Sequence, residues 1–108
     1  MLPQHLRLRK SADFKSIIKH GHKVVRSTLV LYAKPSDVPR FGVIVGKSLG
    51  GAVVRNTIKR SLRHHALSLL DFSHPLDVVV RAVAWPGLVS LSEDLQSAWD
   101  QMSKQVWT

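Results

Sequence analysis

The order of the secondary-structure elements is decided by residues 41–70, which have the sequence FGVIVGKSLGGAVVRNTIKRSLRHHALSLL. Residues 41–46 are apolar and rich in β-branched side chains, a composition that favours a strand. Gly50 and Gly51 end this extended segment, because glycine is typical of turns. Over residues 52–70 the apolar side chains recur with the spacing of one helix face. We therefore expect a strand, a turn and a long amphipathic helix in succession.

Further elements are predicted on both sides of this stretch. Residues 11–20 have the pattern of a short helix, and residues 24–33 and 77–84 have the composition of strands. A last helix is expected to start at Ser90, which is followed by Glu93 at capping-box spacing. The predicted order is α-β-β-α-β-α. We therefore expect an α+β fold, a single domain over residues 1–108 built as an αββαβα two-layer sandwich with one central sheet.

The charge of the chain is large and unevenly distributed. The 108 residues carry a net charge of +9 and include no cysteine, which excludes disulfides, thiolate zinc sites and iron–sulfur clusters. Residues 1–65 contain 14 Lys and Arg against two Asp, whereas residues 66–108 contain two basic and five acidic side chains. Such a polarised field attracts a polyanion to one side of the molecule, and nucleic acid is the partner that it favours.

The helix predicted over residues 52–70 concentrates this positive charge. Its apolar side chains Val54, Ile58, Leu62 and Leu69 share one side. The adjoining side carries four cations and an amide: Arg55, Asn56, Lys59, Arg60 and Arg63. A charged face that is only solvated usually mixes signs, yet no acidic residue occurs between Asp37 and Asp71. Phosphates would neutralise this arrangement, so it favours an RNA-binding helix over an ordinary solvated one.

The sequence offers no candidate catalytic residue and no metal site. His20 and His22, like His64 and His65, lack the i, i+4 spacing of helical metal ligands, and the acidic residues are scattered. No apolar run is long enough to span a bilayer, and no signal peptide is visible. We expect a cytoplasmic protein with no membrane partner and no small-molecule cofactor.

Four segments, in this order and spacing, resemble the protein subunit of bacterial ribonuclease P: RLRKSADFKSIIKHG, STLVLYA, RFGVIVGKSLGGAVVRNTIKRSLR and DVVVRA, spanning about residues 7–84. The resemblance implies a fold like the second domain of ribosomal protein S5, with a left-handed βαβ crossover. It also implies that the chain assists a catalytic RNA in endonucleolytic removal of the 5′ leader from precursor tRNA. The implied partners are ribonuclease P RNA and precursor tRNA. Mg²⁺ would be used by the RNA, which carries out the chemistry.

The resemblance also assigns two surfaces. The residues implied to bind the catalytic RNA are Arg55, Asn56, Lys59, Arg60, Arg63 and Lys47. The residues implied to line a cleft for the single-stranded leader are Phe14, Ile18, Tyr32, Lys15, Arg9 and Lys10. Rings beside cations suit single-stranded RNA, because bases stack on aromatic side chains in a positive groove. Phe14 and Ile18 could equally pack in the core, whereas Tyr32 is expected to be partly exposed because its hydroxyl needs water or a partner.

Three positions depart from the family pattern. Thr57 replaces a usual basic residue, Gly51 replaces a usual asparagine, and Ile18 replaces an aromatic residue found in many members. We therefore expect one phosphate contact fewer, no side-chain cap at Gly51 and fewer rings for leader stacking. A ribosomal or general RNA-binding protein with no role in cleavage is the main alternative. A DNA-binding helix is disfavoured, because no second helix and short turn directly precede residues 52–70.

Overall fold

The computed structural model describes residues 3–107, so Met1, Leu2 and Thr108 of the predicted domain lie outside the described residues. The described part contains three α-helices and one four-stranded sheet, which confirms the predicted α+β class with one central sheet. Short 3-10 turns lie at Gln4–Leu6 and Lys47–Leu49. The main elements are α1 (Ser11–His20), β1 (His22–Val25), β2 (Leu29–Pro35), β3 (Arg40–Val45), α2 (Ala52–Leu69), β4 (Leu76–Ala82) and α3 (Leu88–Trp107).

The sheet has the strand order β1-β2-β4-β3, so the last strand in the sequence lies in its interior. β4 pairs antiparallel with β2 and parallel with β3. The parallel pair is joined by α2, which makes β3-α2-β4 a crossover unit. The left-handed sense of this crossover stays a prediction. The interior position explains why six of the seven residues of β4 are buried.

The sheet packs against helices on both of its faces. α2 and α3 cover one face and bury the larger core, which includes Ile58, Leu62 and Met102. α1 covers part of the opposite face, where Ile17 packs against Tyr32 and Val79. The two-layer description therefore fits the side of α2 and α3, and α1 adds a partial third layer.

The strand predicted over residues 24–33 is wrong as a single element. The structure divides it into β1 and β2, which pair as an antiparallel hairpin. The Arg26 N–H donates to the Leu29 carbonyl oxygen at 2.9 Å and closes the turn. Composition alone did not reveal this turn, because residues 26–28 include neither glycine nor proline. The last helix also begins two residues before the predicted cap Ser90, at Leu88.

Side chains on α3 hold the tip of this hairpin. The Asp94 carboxylate accepts hydrogen bonds from the Thr28 hydroxyl at 2.6 Å, the Thr28 N–H at 3.0 Å and the Ser27 hydroxyl at 3.3 Å. Arg26 donates from the other side to the Ser97 hydroxyl and to the Gln101 side-chain oxygen. The Asp94 carboxylate thus stabilises, through a tertiary contact, a turn that its own local sequence does not stabilise.

This hairpin contact predicts a pH dependence of stability. The hydrogen bond from the Thr28 hydroxyl, together with that from its backbone N–H, holds the pKa of Asp94 below its usual value. As the pH falls, the unfolded chain therefore takes up the proton at a higher pH than the folded protein does. The stabilisation is complete above the ordinary carboxylate pKa of about 4, and it is lost as the pH falls through the lower pKa of the folded protein. Thermal unfolding from pH 7 to pH 3 should show that Asp94→Asn lowers the midpoint at neutral pH and that this difference shrinks in acid. A difference that stays constant over this range would contradict the assignment.

A buried ion pair joins β3 to β4. The Arg40 guanidinium donates two hydrogen bonds to the Asp77 carboxylate, at 2.9 and 2.8 Å, and the two residues are register partners. Asp77 is 4% exposed, so its charge depends on this partner. Arg40 also lies 3.9 Å from Asp13 at the start of α1. The pair therefore connects the sheet to the helix that covers it.

Candidate RNA-binding surfaces

The cations of α2 form a stripe along the helix, with Arg55, Lys59 and Arg63 on the side away from the α3 groove and Arg60 at the border of that groove. Ile58, Leu62 and Ala66 are buried beneath the helix. Arg55, Lys59 and Arg63 follow one another at four-residue spacing and are half-buried, whereas Asn56 and Arg60 are exposed. The side toward α3 carries Thr57, Ser61, His64 and His65, which line the groove between the two helices, and Arg60 also lines this groove at the border of the stripe. The structure therefore brings the five predicted residues of α2 together as one surface, the α2 stripe (Arg55, Asn56, Lys59, Arg60 and Arg63).

The α2 stripe has no internal charge compensation. Among residues 3–107, no cation of α2 forms an ion pair with a carboxylate. The Arg55 Nε is buried and has no hydrogen-bond partner in the part of the chain that the structure describes. Burial, and then the positive charge of Arg7, lower the pKa of Arg63. A guanidinium stays charged regardless, so these side chains can accept an anion from outside the chain as a partner.

Lys47 and Gly50 lie just ahead of this stripe. Lys47 is exposed in the 3-10 turn that leads from β3 to α2. Gly50 has a φ of 144°, and a Cβ there would lie 2.9 Å from the Val54 Cβ, so the turn requires glycine. Lys47 is thus held near the start of α2 rather than within the stripe. Gly51 is the N-cap residue and provides no side-chain cap, as its departure from the family pattern predicts.

A second surface lies between α1 and the opposite sheet face. Ile17 is fully buried, and Phe14 and Ile18 pack half-exposed beside it, so the predicted apolar face of α1 is confirmed. Tyr32 lies in the same cluster but is only 7% exposed, so the expectation that it is partly exposed is wrong. The reason is its strand position, because its register partners Lys23 and Val79 flank it and Ile17 packs against the same cluster. The Lys23 Nζ lies 6.0 Å from the centroid of the Tyr32 ring.

The Phe14 ring rests directly on the backbone of β3 at Gly42. A Cβ at Gly42 would lie 2.5 Å from the Phe14 Cζ, 2.6 Å from its Cε1 and 3.1 Å from the Leu8 Cβ. The missing side chain is therefore what allows the ring to come this close to the sheet. Gly42 sets the position of the one ring that α1 contributes to this surface.

This contact predicts a strong coupling between the two positions. Gly42→Ala should lower the free energy of unfolding by about 1–3 kcal/mol, because the added methyl forces the ring to move. In a Phe14→Ala background the same change should cost much less, since the obstructing ring is gone. Urea unfolding of the four proteins in this cycle measures the coupling. Gly46→Ala is the control, because its Cβ would meet nothing closer than 3.7 Å. Additive effects would contradict the proposed contact.

The part of the sheet face that α1 leaves open contains a cation that the sequence analysis missed. Val30 and Ile44, both half-buried, are register partners of Arg81, which is exposed. These three side chains form a row across β2, β4 and β3 beyond Ile18. Arg81 could have been found from the sequence, since a period of two places it on the same face as Val79. We name the surface formed by Phe14, Ile18, Val30, Ile44 and Arg81, with Tyr32 as its floor, the sheet cleft.

The remaining predicted cleft residues are cations around α1. Lys15 is exposed and lies one turn before Ile18, beside the sheet cleft. Arg9 and Lys10 are exposed at the other end, where they line a groove at the start of the helix. The predicted cleft residues therefore divide between two neighbouring places.

The molecule is a small basic α+β domain. One helix carries an uncompensated stripe of cations, and the opposite sheet face has a cleft of apolar and basic side chains. This combination is typical of the class of single-domain RNA-binding proteins. The chain matches the family model described as Ribonuclease P over residues 2–104. It belongs to the ribonuclease P protein family, the protein components of an endoribonuclease that binds RNA.

Individual relatives give the same result. A ribonuclease P protein component from Acidothermus cellulolyticus is 39% identical over 107 residues, covering 94% of this chain and 88% of the relative. The component from Mycobacterium tuberculosis is 45% identical over 86 residues, covering 77% and 74%. Among solved structures, the RNase P protein of Staphylococcus aureus has a TM-score of 0.70 at 32% identity, with 93% of this chain and 94% of that chain covered. The RNase P protein of Thermotoga maritima has a TM-score of 0.62 at 26% identity, with 92% and 90% covered.

Two kinds of feature are absent from the described residues, a membrane-spanning helix and a metal-binding cluster. No helix of residues 3–107 is both long and apolar enough to cross a membrane. Within the same residues, no three His, Asp or Glu side chains are grouped so that they could hold a metal ion.

Proposed function

We propose that this chain is the subunit that assists a catalytic ribonuclease P RNA in the endonucleolytic removal of the 5′ leader from precursor tRNA, and that it acts in the cytoplasm. The RNA carries out the cleavage, and the protein supplies positive charge and position. The observation that carries this proposal is that a member of this family has two separate surfaces suited to RNA, one on each side of its sheet. Two surfaces allow one small domain to hold two RNAs at once.

The α2 stripe is the surface proposed for the catalytic RNA. Within the described residues its charges are uncompensated, and the buried Arg55 Nε has no hydrogen-bond partner there. An arginine fork donates two hydrogen bonds to one phosphate, which orients a folded RNA as well as attracting it. Lys47 would add a contact at the end of the stripe. Thr57 would add none, since its hydroxyl donates to the Val53 carbonyl oxygen at 2.9 Å.

The sheet cleft is the surface proposed for the single-stranded leader. Phe14 offers a half-exposed ring for a base, and Ile18, Val30 and Ile44 extend the apolar surface. Because Tyr32 is buried, we assign it to the floor that supports Phe14 and Ile18 rather than to a stacking platform of its own. Lys15 and Arg81 flank this surface with positive charge for the leader phosphates.

Mg²⁺ is assigned to the RNA subunit in this proposal. The grouping of acidic and histidine side chains in residues 3–107 does not fit a metal site, so the protein's own role is to bind and position RNA. The positive charge of the protein lowers the electrostatic cost of bringing two polyanions together. Cleavage therefore requires a lower concentration of Mg²⁺.

Arg81 provides a prediction specific to the leader. Arg81→Ala should weaken binding of the reconstituted enzyme to leader-bearing precursor about threefold to tenfold, as expected for one exposed charged contact of roughly 1 kcal/mol. Binding of mature tRNA, which lacks a leader, should be unchanged. Fluorescence anisotropy with the two RNAs measures both affinities, and Lys104→Ala on α3 serves as the control. Equal losses for precursor and mature tRNA would contradict the cleft assignment.

Reconstitution tests the proposal as a whole. The purified protein is added to a bacterial ribonuclease P RNA at a low Mg²⁺ concentration at which the RNA alone is nearly inactive. Cleavage of labelled precursor tRNA at the mature 5′ end should require both components. RNA binding without restored cleavage would instead support the alternative of a general RNA-binding protein, which the comparisons do not favour.

A further inference from the structure

A groove at the start of α1 lies between the two surfaces described above. Its volume is about 440 Å³, enough for a nucleotide-sized group. Four of its seven lining residues are basic, and one is acidic. The lining consists of Gln4, His5, Arg7, Arg9, Lys10, Asp13 and Arg40. We name it the edge groove.

The edge groove retains positive charge after its internal contacts are counted. Arg40 is held by Asp77 and lies near Asp13, so these acids compensate that guanidinium. Arg9 and Lys10 are exposed, and neither side chain has a hydrogen-bond or ion-pair partner within residues 3–107. These two side chains give the groove its capacity for an anion, and Arg7 lines it beside them.

The segment that carries these cations crosses the β3 edge of the sheet. Leu6 is buried in the core shared with α2, whereas Leu8 is buried in the cluster beneath α1. Between them Arg7 forms a parallel bridge with Phe41, and the Leu8 N–H donates to the Phe41 carbonyl oxygen at 2.9 Å. Arg7 is also near enough for its charge to act on Arg63 of the α2 stripe. The segment therefore places a continuous set of cations from the α2 stripe to the start of α1.

We propose that the edge groove is a third phosphate-binding site, in which Arg7 and Arg9 hold the backbone of an RNA strand that passes around the β3 edge between the α2 stripe and the sheet cleft. This inference rests on the proposed function and adds a physical link between its two surfaces. Guanidinium groups suit the task, because each presents a planar fork to phosphate oxygens. The strand belongs either to the catalytic RNA or to the precursor.

Salt dependence of binding tests the site and identifies the strand. Arg7→Ala and Arg9→Ala should each reduce the slope of log affinity against log salt by about one unit, as for the loss of one phosphate contact. Lys19→Ala, which removes an exposed cation from the last turn of α1, should leave the slope unchanged. A reduced slope for binding of the protein to ribonuclease P RNA assigns the phosphate to that RNA. A reduced slope only for binding of the holoenzyme to precursor tRNA assigns it to the substrate.

The outcomes separate this inference from the proposed function. If the wild-type protein restores cleavage but Arg7→Ala and Arg9→Ala match Lys19→Ala in both slopes, the edge groove is not a phosphate site. If the wild-type protein fails to restore cleavage, the proposed function itself is wrong. Arg9 is exposed, so Arg9→Ala keeps the test valid if Arg7→Ala fails to fold. In that case Arg7→Lys is used in place of Arg7→Ala. Lysine keeps the charge but not the fork, so a partial loss of affinity with an unchanged slope supports the site.

Discussion

Replacing Arg40 by methionine is expected to lower the free energy of unfolding by about 3 kcal/mol, the largest effect that we expect from a single change. The substitution leaves the Asp77 carboxylate buried without the two hydrogen bonds that now satisfy it. Breaking a buried pair on one side costs about 3–5 kcal/mol, and the lower end applies because the Arg40 side chain is 36% exposed. Chemical denaturation at pH 7 measures the change.

Two further variants make this result interpretable. Arg40→Met combined with Asp77→Asn should recover much of the lost stability, because the buried charge is removed together with its partner. Arg60→Met makes the same side-chain change at an exposed position and should stay within about 0.5 kcal/mol of the wild type. A loss below about 1 kcal/mol for Arg40→Met would mean that the carboxylate is solvated and that the pair does not join β3 to β4.

Replacing Arg55, Lys59 and Arg63 together by alanine is expected to weaken binding to ribonuclease P RNA about 100-fold or more. Hydrogen bonds to charged groups are worth roughly 1.5–3 kcal/mol each, and these three side chains have no carboxylate partner within the described residues. The slope of log affinity against log salt should fall by about two to three units. Alanine favours helix, so α2 should persist, which circular dichroism can verify.

A matched control distinguishes this stripe from positive charge in general. Lys19→Ala combined with Lys104→Ala removes two exposed cations from α1 and α3 and should change the affinity little. Similar losses per charge in the two proteins would indicate that RNA responds to net charge alone. The α2 stripe would then not be a specific surface.

Much of the fold followed from local patterns. The amphipathic period of residues 52–70 predicts α2 within one residue of its observed end at Leu69. The β-branched composition and the breakers around it predict β3, β4 and the order of the elements, except that they predict one strand over residues 24–33 instead of β1 and β2. The turn at residues 26–28 escaped prediction because its stability comes from Asp94, which is far away in the sequence. A local pattern carries no information about such a partner.

The candidate sites show the same division. The α2 stripe could be predicted, because all five of its residues lie on one helix whose geometry fixes their relative positions. The sheet cleft and the edge groove could be predicted only in part. Tyr32 is buried and Arg81 joins the cleft because of the strands beside them, and Arg7 approaches Arg63 because residues 6–8 cross the β3 edge.

The sequence by itself determined the elements, the basic side of α2, the excess of positive charge and, through its motifs, the family. The tertiary structure alone decided that β4 lies between β2 and β3, that Arg40 meets Asp77, and that the cations of residues 7–10 lie between two surfaces. The physical reason is the range of the interactions. Periodicity and turn preference act over a few residues, whereas strand order and contacts between faces depend on how the whole chain buries its apolar surface.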